Sequence, residues 1–207
     1  MRTNPFSDVF LWLADARWEV LLLWALLIAS ITVAAVNWRG DPAQRTPRDV
    51  TVWVFRVLIG AMWYQGTTWK LPLPVSGGFE YWLRQTGEHA AFPFIGDLVN
   101  NLLLPQIALV GPLIYFAEMF FAVSLLLGVL TRLGALFAAG QALFLWLGLY
   151  RAEAEWPWNY IFLAVVHGLF IVVAAGRSLG VDAILRRPGG LVSRATGFAG
   201  LILRQST

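Results

Sequence analysis

The chain alternates long apolar runs with short polar interruptions, and five of the runs have the length of a membrane helix. They cover about Val20 to Val36, Thr51 to Trp69, Ile107 to Val129, Leu133 to Tyr150 and Trp156 to Gly176. At a rise of about 1.5 Å per residue, about 20 apolar residues cross the hydrocarbon layer as a helix. The first run begins too far into the chain, and behind Glu19, to be a cleaved signal; it predicts a retained helix. Between Asn4 and Trp18, Phe6, Val9, Phe10 and Leu13 fall on one helical face, with Ser7 as the expected N-cap. The stretch from Leu71 to Gln106 is too apolar for a free loop and predicts short helices capping the outer mouth of a bundle. The segment from Ala183 to Arg204 mixes Leu and Ile with Arg and Gly, which suits a helix lying on an anionic inner leaflet. Three regions follow: residues 1–50, with the interfacial segment and first span; 51–182, a four-helix core with the cap at about 71–106; and a cytoplasmic amphipathic tail, 183–207. No internal repeat is strong enough to claim.

Polar residues inside the apolar runs are the next signal. Glu118 is the only charged residue between Leu98 and Thr131. A carboxylate near the centre of a membrane helix costs about 2.5 kcal/mol or more to insert, so its position calls for partners or a function. In the second run, Arg56, Gly60, Trp63, Thr67 and Lys70 follow at helical spacing and share one face, with Tyr64 and Gln65 beside it. Counting residues from the run ends puts Glu118, His167, Tyr64 and Gln65 at similar depth, with Gln141 somewhat nearer the cytoplasm. Arg56 has two readings: it snorkels to the cytoplasmic interface, or it pairs with Glu118. Lys70 and Arg132 read as markers of helix ends. Gln141 reads as interhelical glue. His167 reads as a packing residue or a proton carrier, and Glu118 as Arg56's buried structural partner or a functional acid.

Composition sharpens the class. Of 207 residues, 58% are hydrophobic and only 13% charged, against roughly 25% charged in soluble domains. Mean hydropathy is +0.66, so an integral membrane protein is expected. The eleven Trp fit interfacial belts. The absence of Cys removes disulfides, thiol redox chemistry and iron–sulfur or thiolate metal sites, and two His are too few for a bis-His haem with anything to spare. No metal and no nucleic-acid partner are expected, because the net charge of +3 reflects Arg near the spans. Arg39, Arg45, Arg48, Arg132, Arg177, Arg186, Arg187, Arg194 and Arg204 fall on one side of a five-span chain. The positive-inside rule makes that side cytoplasmic, with the N-terminus outside and the C-terminus inside.

Three motifs together resemble the DoxX/DoxD family of small membrane proteins. They are Arg56-x3-Gly60-x5-Gly66-x3-Lys70; Glu118 followed by Leu125-Leu126-Leu127-Gly128-Val129-Leu130-Thr131-Arg132; and Gly176-Arg177-Ser178-Leu179-Gly180-Val181-Asp182. The likeness covers roughly Val52 to Asp182. It implies an all-α polytopic membrane helical bundle, a DoxX-like four-helix core plus one extra N-terminal transmembrane helix, in a bacterial or archaeal inner membrane. DoxD is similar to the larger subunit of thiosulfate:quinone oxidoreductase, so the resemblance implies quinone-linked redox metabolism and partner subunits. No covalently bound cofactor is implied. On that reading a membrane quinone sits among Trp63, Tyr64, Glu118 and His167, with Arg56, Gln65, Lys70 and Gln141 as further binding residues. Glu118 or His167 would exchange the protons of reduction. Thiosulfate would be drawn to Lys70, Arg84 and His89 on the outside. The alternative is a non-catalytic accessory subunit of a respiratory or photosynthetic membrane complex. A small-molecule or lipid carrier is the third class, disfavoured by five spans without a repeat.

Overall fold

A computed structural model describes residues 4–153, 155–156 and 158–207, and every regular element among them is helical. Helix α1 (Pro5–Leu13) opens on Asn4, whose side chain accepts from the Phe6 N–H at 2.9 Å. Asn4 is therefore the N-cap, and Ser7, expected there, lies one turn inside and donates to the Asn4 carbonyl. Phe6, Val9 and Phe10 are exposed, while Trp12 and Leu13 pack against the core. Helix α2 (Trp18–Gly40) is apolar around nearly its whole circumference, as a lipid-embedded helix is.

Helix α3 (Pro47–Thr68) begins at a well-formed cap. Thr46 Oγ1 accepts from the Asp49 N–H and donates to the Asp49 carboxylate, and Pro47 stands at the first helical position. The cap region consists of α4 (Gly77–Glu88) and α5 (Pro93–Leu98). A π-helical turn at Val99–Leu103 and a 3-10 turn at Leu104–Gln106 lead on into α6 (Ile107–Leu127). The apolar stretch Pro93–Leu127 and α2 are both long and apolar enough to cross a membrane, whereas Trp158–Val172 is apolar but shorter. Helix α7 (Thr131–Gly148) and helix α8 (Trp158–Val172) complete the bundle. Short helices α9 (Val181–Leu185), α10 (Leu191–Arg194) and α11 (Gly197–Ser206) follow.

The bundle is built from two intimately packed pairs, α3 with α6 and α7 with α8; α6 packs on α7, and α2 packs against α6 and α3. In a lipid environment such pairs are held by close van der Waals contact rather than by water exclusion, which favours small residues. A Cβ at Gly60 would stand 2.9 Å from the Leu126 backbone nitrogen, so this glycine sets the α3–α6 distance. Ala122, Ala135 and Ala138 are fully buried between the pairs, alongside Trp63, Phe121, Leu125, Leu126 and Phe170. The cap is tied to the end of α7 by hydrogen bonds from the Ala91 N–H to the Leu147 carbonyl (2.7 Å) and from the Arg151 N–H to the His89 carbonyl (3.0 Å).

At the opposite end the three sequence motifs meet. Asp182 accepts from the N–H groups of Leu130 (2.7 Å) and Thr131 (3.0 Å), capping the start of α7. Its own N–H returns to the Gly128 carbonyl at 2.8 Å. Gly128 is in the left-handed region (φ 69°), terminating α6. Asn37 donates to the Gly180 carbonyl and accepts from Arg187, and Gln44 accepts from the Leu179 N–H. The α2–α3 connection, the α6–α7 turn and the chain after α8 thus come together, and these are the three Arg-bearing stretches.

Arg56 lies inside this knot, fully buried, with Nη1 donating to the carbonyls of Leu125 and Leu126. It neither snorkels nor pairs with Glu118. The acid stands seven residues earlier on α6, about 10 Å along the axis.

Candidate functional site

The partner of Glu118 is Lys70. This lysine stands just past the C-cap of α3, Trp69, and turns back along the helix, so that Nζ reaches Glu118 Oε2 at 2.5 Å. The same ammonium donates to the Gly66 carbonyl (3.1 Å), one of the orphan acceptors at the helix end, and lies 4.4 Å from the centroid of the Trp69 ring. Thr67 Oγ1, which donates to the Trp63 carbonyl, lies 3.3 Å from Oε2. Lys70 is 6% exposed and Glu118 4%. A charge pair this deep is stable only with close geometry and additional hydrogen bonds, and both are present.

The pair lines a cavity of about 640 Å³. One wall is the α3–α6 pair, contributing Trp63, Lys70 and Glu118. The other is the α7–α8 pair, contributing Gln141, Leu163 and Tyr160. Helix α4 forms the roof with Phe79, Trp82 and Leu83. Besides the ion pair, polar side chains interrupt these apolar walls at Thr86, Gln141, Asn159 and Tyr160, whose hydroxyl donates to Glu155 Oε2 at 3.0 Å.

The residues singled out from the sequence separate into two groups. Glu118, Lys70, Trp63 and Gln141 line the cavity. Arg56, Tyr64, Gln65 and His167 do not. Tyr64 faces α2 and donates to the Glu19 carbonyl at 2.6 Å. Gln65 borders a smaller hollow with Trp12, Arg17 and Glu19. His167 is fully buried: Nε2 accepts from Trp63 Nε1 at 3.0 Å, and Nδ1 stands 2.6 Å from the Leu163 carbonyl. That arrangement fixes the neutral tautomer with its proton on Nδ1. His167 is level with Trp63, whereas Glu118 is level with Thr67 and Lys70, one turn nearer the cap. Outside the cavity, Arg84 is engaged by Glu80 at 2.6 Å and His89 Nδ1 approaches the Gln85 carbonyl.

Several polar residues of the cavity, taken singly, carry no sequence signal as site residues, Tyr160 and Glu155 among them. Tyr160 and Glu155 sit at the start of the last span, where Tyr is expected as an interfacial anchor and Glu as a solvated loop residue. The usable signal was their spacing of five across a helix start, which lets the carboxylate meet the hydroxyl.

The sequence profile of a family described as "TQO small subunit DoxD" matches residues 81–200. The chain belongs to the DoxD family. The match runs from α4 into α11 and contains Glu118, Gln141, Tyr160 and His167, while Arg56 and Lys70 lie before it. The description corrects one expectation: DoxD is the small subunit, not the larger one. No curated protein and no solved structure matches the chain. DoxD membership and the apolar helices make this a membrane protein of a subunit family associated with a quinone oxidoreductase.

Proposed function

We propose that this DoxD-family chain binds a membrane quinone in the cavity between its two helix pairs, and that Glu118 handles protons of quinone reduction. The chain would act as a subunit of a thiosulfate:quinone oxidoreductase, with a partner subunit delivering the electrons. The observation that carries this reading is a buried Lys70–Glu118 pair at the wall of an apolar cavity. A volume of about 640 Å³ lies within the roughly 300–1,000 Å³ typical of small-molecule sites. It suits a ring head group with the first part of an isoprenoid chain.

Access from the lipid supports the same ligand. Helices α3 and α8 pack only sparsely, and the edges of the cavity there are Ile59 and Met62 on α3 and Phe162 and Val166 on α8. Met62 and Phe162 are 41% and 55% exposed, an apolar entrance in contact with the bilayer. Inside, the ammonium of Lys70 donates to a ligand oxygen, and the Lys70–Glu118 pair holds a proton beside it. Trp63, braced by His167, supplies a rigid aromatic surface on the same wall.

We further place the cap on the outer side of a bacterial or archaeal inner membrane, with the N-terminus outside and the C-terminus cytoplasmic. The gathering of Arg39, Arg45, Arg132 and Arg187 at the far end supports this orientation. A non-catalytic accessory subunit is the second reading, favoured by the outward-facing stack of Phe92 on Phe94 (ring centroids 5.7 Å apart), an aromatic surface suited to a partner.

The test is thiosulfate-dependent quinone reduction in membranes carrying Glu118→Gln together with the native partner subunits. A loss of about a hundredfold or more, the usual weight of a positioned acid, is expected. Undiminished turnover would remove the proton role and favour the accessory reading.

A further inference from the structure

The cavity carries polar side chains on opposite walls. On the α3–α6 wall stand Lys70 and Glu118. On the α7–α8 wall, at the beginning of α8, Tyr160 Oη meets Glu155 Oε2 at 3.0 Å, and both residues line the same space. Gln141 and Asn159 belong to that same α7–α8 wall and Thr86 to the roof, and the rest of the surface is aromatic and aliphatic, as at Trp63, Trp82 and Leu163. A hydroxyl and a carboxylate facing an apolar cavity are costly unless they hold each other or meet a ligand. A lipid with one polar end needs one such place. A ligand with acceptors on opposite edges of a flat ring needs two, facing each other.

We infer that the cavity takes a para-quinone spanned between the two walls, with one carbonyl oxygen at Lys70–Glu118 and the other accepting from the Tyr160 hydroxyl, which Glu155 positions. This rests on the quinone reading above and adds to it the ring geometry of the ligand and a second binding residue. The Tyr160 hydroxyl is directed at Glu155. It donates to the carbonyl by turning about the Cζ–Oη bond, a motion that needs no backbone shift. The hydroxyl has a single hydrogen, so the bond to Glu155 is given up when the carbonyl is met, and Glu155 sets the position of the phenol before the ligand binds. Asn159, on the preceding position of α8, borders the same end of the cavity and can add a second donor. An ortho-quinone, whose two oxygens are adjacent, would satisfy one wall only.

The test uses the full chain purified into lipid nanodiscs and a para-benzoquinone with one isoprenoid unit, labelled with ¹³C at one carbonyl at a time. Binding is followed by quenching of Trp fluorescence, and the two carbonyl stretches by infrared difference spectroscopy. In the wild type both stretches fall below those of the free quinone, because both oxygens accept hydrogen bonds. Tyr160→Phe returns one stretch to its free position, leaves the other lowered, and weakens binding about three- to tenfold, the weight of one hydrogen bond. Glu155→Gln, which retains an acceptor, shifts the same stretch part-way. Glu118→Gln moves the other one. If Tyr160→Phe and Glu155→Gln leave both stretches where they were, the two-wall inference is overturned while the quinone site stands. If the wild-type protein does not bind the quinone, the inference and the proposed function fall together.

Discussion

Lys70 Nζ and Glu118 Oε2 are separated by 48 positions in the chain and by 2.5 Å in the fold. The contact exists because α3 ends two residues before Lys70, so the lysine stem can turn back beneath the cap toward the middle of α6. Thr67, one turn earlier, completes the environment of the carboxylate.

Removing one partner of this pair leaves the other charge buried. Lys70→Met or Glu118→Gln alone is expected to destabilise the protein by about 3–5 kcal/mol, and the double variant by clearly less than the sum. Thermal unfolding in mild detergent measures this. Strict additivity would mean that the two groups do not depend on each other.

His167 separates stability from chemistry. Replacing it with Phe leaves Trp63 Nε1 without its acceptor, at a cost of about 1–3 kcal/mol. Because His167 lies outside the cavity, quinone reduction per folded molecule is expected to persist. Equal losses for His167→Phe and Glu118→Gln, after correction for folded protein, would place the histidine back among the reacting groups.

Two glycines give opposite outcomes. Gly128 has φ 69°, and a Cβ there would stand 2.6 Å from Arg56 Nη1 and 2.7 Å from the Gly180 Cα. Gly128→Ala is expected to destabilise by more than about 1 kcal/mol. Gly140, within α7, has nothing within 4 Å of the Cβ position, so Gly140→Ala is expected to stabilise by up to about 1 kcal/mol. The melting temperatures of the two variants decide the point.

The entrance proposed between α3 and α8 makes a prediction about chain length. Met62→Trp and Val166→Trp fill the gap from either side. Both are expected to weaken binding of long-chain quinones more than that of a quinone lacking the isoprenoid chain, measured by fluorescence titration. Equal effects on both ligands would locate the entrance elsewhere.

Much of this arrangement was legible in the sequence. The helical spacing of Arg56, Gly60, Trp63, Thr67 and Lys70 foretold a single face; the first four are buried along α3 and Lys70 is buried just past its end. The stretch 71–106 forms short helices at one end of the bundle, and the Arg-bearing connections meet at the other. What the pattern could not supply was pairing. Arg56 and Lys70 are both cations on the face toward α6, and depth counting from run ends carries an error of about one turn. That error is enough to exchange Lys70 for Arg56 as the partner of Glu118 and to bring His167 level with the acid. Tyr64 and Gln65 share the depth of the site but point to its other side, a distinction set by the rotation of α3 against α6, where Gly60 meets Leu126. Glu155 and Tyr160 were hidden because their partnership crosses a helix start, where spacing rules for helix faces do not apply.

The most direct measurement is extraction of the purified chain. Protein isolated in mild detergent from quinone-containing membranes and extracted with organic solvent should yield a stoichiometric amount of quinone. The yield should fall sharply in Met62→Trp, whose side chain fills the entrance, while the variant still folds. Quinone at no more than the level carried by detergent and lipid, in both proteins, would contradict a quinone-binding cavity in this chain.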